Sequence, residues 1–239
     1  AGFAYTMKVE TRLARNASNE AELEWPGRSG VEYARWILVQ QLAVPNEPYD
    51  ALNQVWAGGP GGVGTSNSPL LSVMKEVELG SGSFTWKITD LESRVNINIA
   101  SEPLLQQALM SVGMDASQLT PVMNSILDWI DQDDNTRIQG TESDFYQSQD
   151  PPYYAKNGPI DDLTELTLIN NIFPELYYGM SATNYQPGVA QPKFNRGMMG
   201  PADIPPFTVG LAELFTPISS GRVNINTASA AVLQCIPGI

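Results

Sequence analysis

The sequence predicts an α+β fold, in which a small α/β domain with a long N-terminal helix and a small antiparallel sheet is interrupted by a large all-helical insertion. Three observations predict it. Apolar residues recur at helical spacing from Tyr5 to about Leu42. Apolar and polar residues then alternate on either side of Gly80-Ser81-Gly82, as in a β-hairpin. Finally, Arg94-Val95-Asn96-Ile97-Asn98-Ile99-Ala100-Ser101 recurs almost unchanged as Arg222-Val223-Asn224-Ile225-Asn226-Thr227-Ala228-Ser229, and strand signals nearly vanish between the two copies. The expected boundaries are 1–98 for the first part of the α/β domain, 99–217 for the helical insertion and 218–239 for the return.

The first helix carries Met7, Val9, Leu13, Val31, Ala34, Trp36, Ile37 and Leu38 on its apolar side, and charges of both signs on the other. Pro26-Gly27 predicts either two helices or one kinked helix, because an interior proline loses a hydrogen bond. Pro45 to Pro69 reads as loop; its glycines have no following Lys-Ser/Thr and no preceding strand, so they are not a phosphate cradle. Leu70–Leu79 and Ser83–Asp90 form the hairpin. Each repeated copy reads as a short strand running into a helix, with Asn98 or Ser101 capping the first and Asn226, Thr227 or Ser229 the second. The segments Pro103–Val112, Thr120–Ile130 and Ile160–Ile172 read as helices. A proline- and glycine-rich stretch runs to about Pro206, and Thr208–Phe215 is a short helix or strand.

The chemistry concentrates in Leu127-Asp128-Trp129-Ile130-Asp131-Gln132-Asp133-Asp134-Asn135-Thr136-Arg137-Ile138-Gln139-Gly140-Thr141-Glu142. With Asp131 as position 1, oxygens fall at 3 (Asp133), 5 (Asn135) and 12 (Glu142), and the carbonyl of Arg137 falls at 7. That is the ligand spacing of a calcium loop, in which a hard cation gathers oxygens from alternate residues and a bidentate closing carboxylate. Thr136 stands where such a loop has glycine for its sharp turn, so the winding differs there. The plain alternative is a solvated acidic turn. Against it, Asp131, Asp133 and Asp134 crowd together beside Asp128 with Arg137 as the nearby cation. Mg²⁺, which demands a stricter octahedron, suits the set less well.

Composition excludes several classes. The 239-residue chain has 26 acids, 13 bases, a net charge of −13 and no histidine. The charge argues against nucleic acid, and the missing histidine rules out serine– or cysteine–histidine catalysis within the chain. Cys235, the single cysteine, makes no intrachain disulfide and reads as a small buried hydrophobe. The chain has no apolar run long enough to span a membrane. It starts without methionine and stops after Pro237-Gly238-Ile239, so a fragment of a longer protein is expected.

From Asp90 to Ile239, the order of Leu127-Asp128-Trp129-Ile130-Asp131-Gln132-Asp133-Asp134, Gly140-Thr141-Glu142, Tyr153-Tyr154-Ala155-Lys156-Asn157-Gly158-Pro159-Ile160-Asp161 and Arg222-Val223-Asn224-Ile225-Asn226-Thr227-Ala228 resembles the minor pseudopilin K family of bacterial type II secretion systems. Glu32-Tyr33-Ala34-Arg35 is similar to the soluble continuation of a pseudopilin's membrane helix. The resemblance implies a pilin-like domain with a helical insertion, bound Ca²⁺, and a place at the tip of a short periplasmic pseudopilus. It also implies anchoring in the inner membrane by a segment not in this chain. A non-enzymatic assembly role follows, with the I and J minor pseudopilins as partners on the apolar stripe that includes Ala34 and Leu38. The insertion is expected to project away from that contact.

Two other classes compete. Asn224 to Leu233 with Pro237-Gly238-Ile239 looks like the first half of a helix-hairpin-helix DNA-binding module, but only half is present and the charge is wrong. A carboxylate hydrolase would need acids spaced across a scissile bond, and Asp131, Asp133 and Asp134 are too close along one loop. Trp129 and Tyr153-Tyr154 read as core and loop anchors rather than as a recognition patch.

Overall fold

The computed structural model describes residues 2–61, 77–80, 82–179 and 209–238. It divides into two compact units, Ala1–Asp90 and Leu91–Ile239.

In the first unit, α1 runs unbroken over Gly2–Leu42 with Pro26 inside it, so of the two expected alternatives the pair of separate helices is not formed. Most of its described side chains are exposed. Ile37 is buried with Val55 and Trp56, and Tyr33, Ala57, Trp86 and Ile88 pack around them. Tyr33 lies 5.8 Å from Trp36, 6.1 Å from Phe84 and 6.2 Å from Trp86 between ring centroids. Trp56 sits in a 3-10 turn, Val55–Ala57, and its indole donates to Gln54 Oε1 at 2.8 Å. Gln54 also donates to the carbonyl of Tyr49 at 2.7 Å. That buried amide gives order to a stretch that reads as plain loop. The hairpin pairs β1 (Val77–Leu79) antiparallel with β2 (Gly82–Phe84). The second strand stops at Phe84, short of the expected Asp90, and the start of the first lies outside the described residues.

The second unit opens on β3 (Val95–Asn96), followed by α2 (Glu102–Ser111) and α3 (Ala116–Ile130). Asp115 caps α3 by accepting from the Ser117 amide at 2.8 Å, so the helix starts earlier than Thr120 and carries Pro121 within it. Short helices follow: α4 (Ser143–Tyr146), α5 (Pro174–Tyr178), α6 (Leu211–Leu214) and α7 (Ala230–Gln234). α6 passes directly into β4 (Phe215–Thr216), which pairs parallel with β3; Thr208–Phe215 thus supplies both a helix and a strand. Where a helix over Ile160–Ile172 is expected, the structure has a 3-10 turn, Leu163–Leu168, with a capping box formed by Asp162 and Glu165.

The two repeated copies share a local turn. Asn96 accepts from the Asn98 amide at 3.0 Å, and Asn224 accepts from the Asn226 amide at 3.1 Å. Both lie in the second unit, and the Asn224 amide donates to the carbonyl of Glu92 at 2.8 Å. Val95, Ile97, Phe215, Val232 and Cys235 share one core. The structure therefore groups 91–98 and 218–238 with the helical region, unlike the 1–98, 99–217 and 218–239 division expected from the sequence. The reason is that strand 95–96 is completed by strand 215–216, which ties both ends of the expected insertion into one hydrophobic core. Of the expected caps, Ser229 accepts from the Val232 amide at 3.3 Å, whereas Ser101 starts α2 without a side-chain bond. Asn98 instead bridges chain segments, bonding both the amide and the carbonyl of Ile160 and the carbonyl of Pro217.

Candidate metal centre

The C-terminal turn of α3 aims Asp128 into the loop that follows it. Asp128 is fully buried. Its Oδ2 accepts from the Thr141 amide at 2.8 Å and the Arg137 amide at 3.2 Å, and its Oδ1 accepts from Arg137 Nη1 at 2.8 Å. The loop from 131 to 141 thus winds around one carboxylate. Gly140 permits this, because a Cβ there would stand 2.0 Å from Asp128 Oδ2. Asn124 adds a bond to the carbonyl of Ile138 at 2.8 Å, and the hydroxyls of Ser125 and Thr141 meet at 2.9 Å. Beneath the loop, Trp129, Tyr146 and Tyr153 pack with centroid separations of 5.1–6.4 Å. Trp129 is buried while Tyr154 is exposed, so Trp129 is a core anchor and Tyr154 is not.

Carboxylate oxygens of Asp128, Asp131 and Glu142 lie within 4.8 Å of one another. Arg137 Nη1 bridges Asp128 and Asp131. Glu142, at the start of α4, is 3% exposed, and neither of its oxygens has a hydrogen-bond partner; the same is true of Asp131 Oδ1. Burial, and then the charges of Asp128 and Asp131, push the Glu142 carboxyl up to about 7. Three orphaned, buried oxygens that converge beside a third carboxylate fit a hard divalent cation, which would supply the missing partner to all of them.

Asp131 and Glu142 come together as expected. Asp133 and Asn135 do not join them: both are exposed, and Asp133 Oδ1 accepts from the Asn135 amide at 2.9 Å. The carbonyl of Arg137 accepts from the Gly140 amide at 2.8 Å. The left-handed residue of the loop is Gln139 (φ 62) rather than Thr136, so the winding is not that of an EF-hand. Asp128 lies outside the spacing of a calcium loop; its signal in the sequence is the position one helical turn before Asp131. Asp134 faces elsewhere, accepting from Ser143 Oγ at 2.8 Å and Asn157 Nδ2 at 3.0 Å. Those bonds, from Asn157 first, hold its carboxyl below the usual range.

The second candidate surface is α1. Leu38 is exposed and Ala34 half-buried, beside exposed Trp25, Val31, Trp36, Val39 and Leu42. Among the described residues no helix is long and apolar enough to cross a membrane.

A putative type II secretion system protein K of Escherichia coli (strain K12) is 28% identical over 147 residues, which are 56% of this chain and 45% of that protein. A type II secretion system protein K of Klebsiella pneumoniae is 23% identical over 112 residues, 41% of this chain and 34% of that protein. The matches thus span under half the length of these relatives. The crystal structure of the GspK-GspI-GspJ complex from the enterotoxigenic Escherichia coli type 2 secretion system holds a chain with TM-score 0.64 and 18% identity, covering 93% of this chain and 68% of that one. That likeness establishes the fold. Residues 88–182, which contain the whole acidic loop, match the family model for type II secretion system (T2SS), protein K.

Proposed function

We propose that this chain is the periplasmic part of a minor pseudopilin that works as a structural assembly protein at the tip of a type II secretion pseudopilus. The observation that carries the proposal is α1: 41 residues long, with Tyr5, Leu13, Trp25, Val31, Val39 and Leu42 each more than half exposed. A helix with that much uncovered apolar surface packs against other helices. The structural neighbour is crystallised with GspI and GspJ, and we assign the corresponding I and J pseudopilins as partners, on a face that includes Ala34 and Leu38. A pilin-like arrangement of α1, with an inner-membrane anchor on its N-terminal side, completes this reading. No catalytic step is assigned to any residue.

We further propose that Asp128, Asp131 and Glu142 hold Ca²⁺. When bound, the cation satisfies the buried carboxylates and ties α3 to α4; the protein residues supply only oxygens and the framework that orients them.

Co-purification with I and J pseudopilins tests the assembly role, with Leu38→Glu as the control that should abolish it. Failure of the wild-type chain to join a complex that I and J form with each other refutes the tip assignment. Survival of the complex in Leu38→Glu moves the interface away from this face.

A further inference from the structure

We infer that the Arg137 guanidinium is a built-in competitor for the cation, occupying the carboxylate cluster in the metal-free protein and swinging into solvent when Ca²⁺ enters. The inference rests on the calcium reading above and concerns how that site is tuned.

Nη1 of Arg137 donates to both Asp128 Oδ1 and Asp131 Oδ2. It therefore lies against the group of oxygens that a cation would use. It satisfies only part of that group, because Asp131 Oδ1 and both oxygens of Glu142 stay buried and without partners. One positive charge faces three carboxylates, and a planar fork cannot reach all of them. A divalent ion can.

The exposures set which partner is free to leave. The Arg137 side chain is 37% exposed, whereas the Asp128 side chain is 0% and the Asp131 side chain 25% exposed. The guanidinium can thus withdraw into water without disturbing the packing. Asp128 keeps its place after that departure, since the amides of Arg137 and Thr141 still donate to it. The loop that Asp128 organises is held by backbone, and the charge that balances it is exchangeable. Were Arg137 to stay, a like charge a few ångströms from the metal would weaken binding.

Arg137→Gln and Arg137→Lys, compared with the wild type by calorimetric Ca²⁺ titration and by melting in chelator, test the inference. Arg137→Gln is expected to melt lower without metal and to bind Ca²⁺ about tenfold tighter or more, the size of effect that one nearby like charge produces. Arg137→Lys keeps the charge and should stay near the wild type. A purely structural clamp predicts the opposite for Arg137→Gln, a weaker site along with a weaker fold, and that result overturns the competition. Should Arg137→Gln not fold without metal, isotope-labelled arginine in the wild type gives the answer: the Arg137 guanidinium should rotate slowly in chelator and freely at saturating Ca²⁺. A guanidinium still held at saturation overturns the inference. A wild type that takes up no Ca²⁺ refutes the calcium reading itself, and the competition with it.

Discussion

Glu142 and Glu165 are two glutamates of the same unit, both shielded from solvent, in opposite states. Glu165 Oε1 accepts from Lys156 Nζ at 2.8 Å, the Asp161 amide at 2.9 Å and the Asp162 amide at 3.0 Å. Burial pushes its carboxyl up, but those donors outweigh burial and hold it below the usual range. Glu142 is buried more deeply, has no donor, and has the charges of Asp128 and Asp131 beside it, so its carboxyl rises to about 7. The chain thus wires one acid completely with its own groups and leaves the other short of a partner. The first pattern is a finished structural joint. The second is what a site for an added cation requires.

The largest expected effect separates the two directly. Calcium at a hundredfold excess over its dissociation constant should stabilise the wild type by about 3 kcal/mol, read as a rise of several degrees in Tm against a chelator control. Glu142→Gln should lose most of that rise, since it removes the charge of the most deeply orphaned ligand, while melting in chelator as well as the wild type or better. Glu165→Gln should melt lower with and without calcium and keep the full calcium shift. Equal calcium shifts in wild type and Glu142→Gln would dissolve the contrast.

The pH dependence follows from the same difference. Between 4.5, the ordinary value for glutamate, and about 7, the folded metal-free protein keeps a proton on Glu142 that the unfolded chain has lost. Stability from this group is therefore greatest below 4.5 and falls as pH rises through the window, by up to about 3 kcal/mol. Calcium binding should strengthen over the same range and release protons as it does so. Glu165 titrates with the opposite sign: its contribution is present above the ordinary glutamate value and is lost as pH falls through its lowered folded value. Metal-free melting curves from pH 4 to 8, for wild type and Glu142→Gln, check this, and a wild-type profile unchanged by Glu142→Gln would count against it.

Next in size is Gly140→Ala. The added Cβ meets Asp128 Oδ2 at 2.0 Å and the Arg137 carbonyl at 3.2 Å. The carboxylate is fully buried and held by two amides and a guanidinium, so it cannot turn aside, and the loop must shift. A cost of about 1–3 kcal/mol is expected, with weakened calcium binding in titration. A variant with wild-type Tm and affinity would show that Asp128 does not organise the loop.

The sequence made parts of this contrast legible. Asp131 and Glu142 stand at the spacing of a calcium loop, and they do meet. The place of Asp128 was hidden because it depends on α3 ending at Ile130, so that a residue one turn inside the helix faces the loop rather than solvent. Asp133 and Asn135 fit the spacing equally well, yet they bond to each other, and Thr136 takes no left-handed turn that would bring them inward. Ile160–Ile172 has helical spacing, but Asp162 and Glu165 tie a tight cap and Asn171 takes a left-handed turn (φ 66); local side-chain bonds won over periodicity. The repeat was legible as a local device, whereas its burial was not. Ile97 is 1% exposed and its counterpart Ile225 is 68% exposed, because among the described residues only the first copy pairs with a strand under the core. Long-range pairing of this kind leaves no local trace, which is also why the boundary at Asp90 was not foreseen.

The smallest expected effect comes from the finished joint. Lys156 bridges Asp161 at 2.6 Å and Glu165 at 2.8 Å. The Asp161 side chain is 87% exposed, so that half of the bridge is screened and contributes little. Glu165 keeps two amide donors when the lysine is gone, and it is not orphaned as Glu142 is. Lys156→Gln should therefore cost only about 1 kcal/mol, and part of that loss should disappear at high salt, where the wild-type bridge is itself weakened. The neighbouring Asn157 donates to Asp134 and so links this joint to the acidic loop, but its amide is not held by Lys156. The calcium shift of Lys156→Gln should match the wild type. A reduced shift would mean that the two clusters act as one network through Asn157 and Asp134, and the separation drawn between Glu142 and Glu165 would then be one of degree.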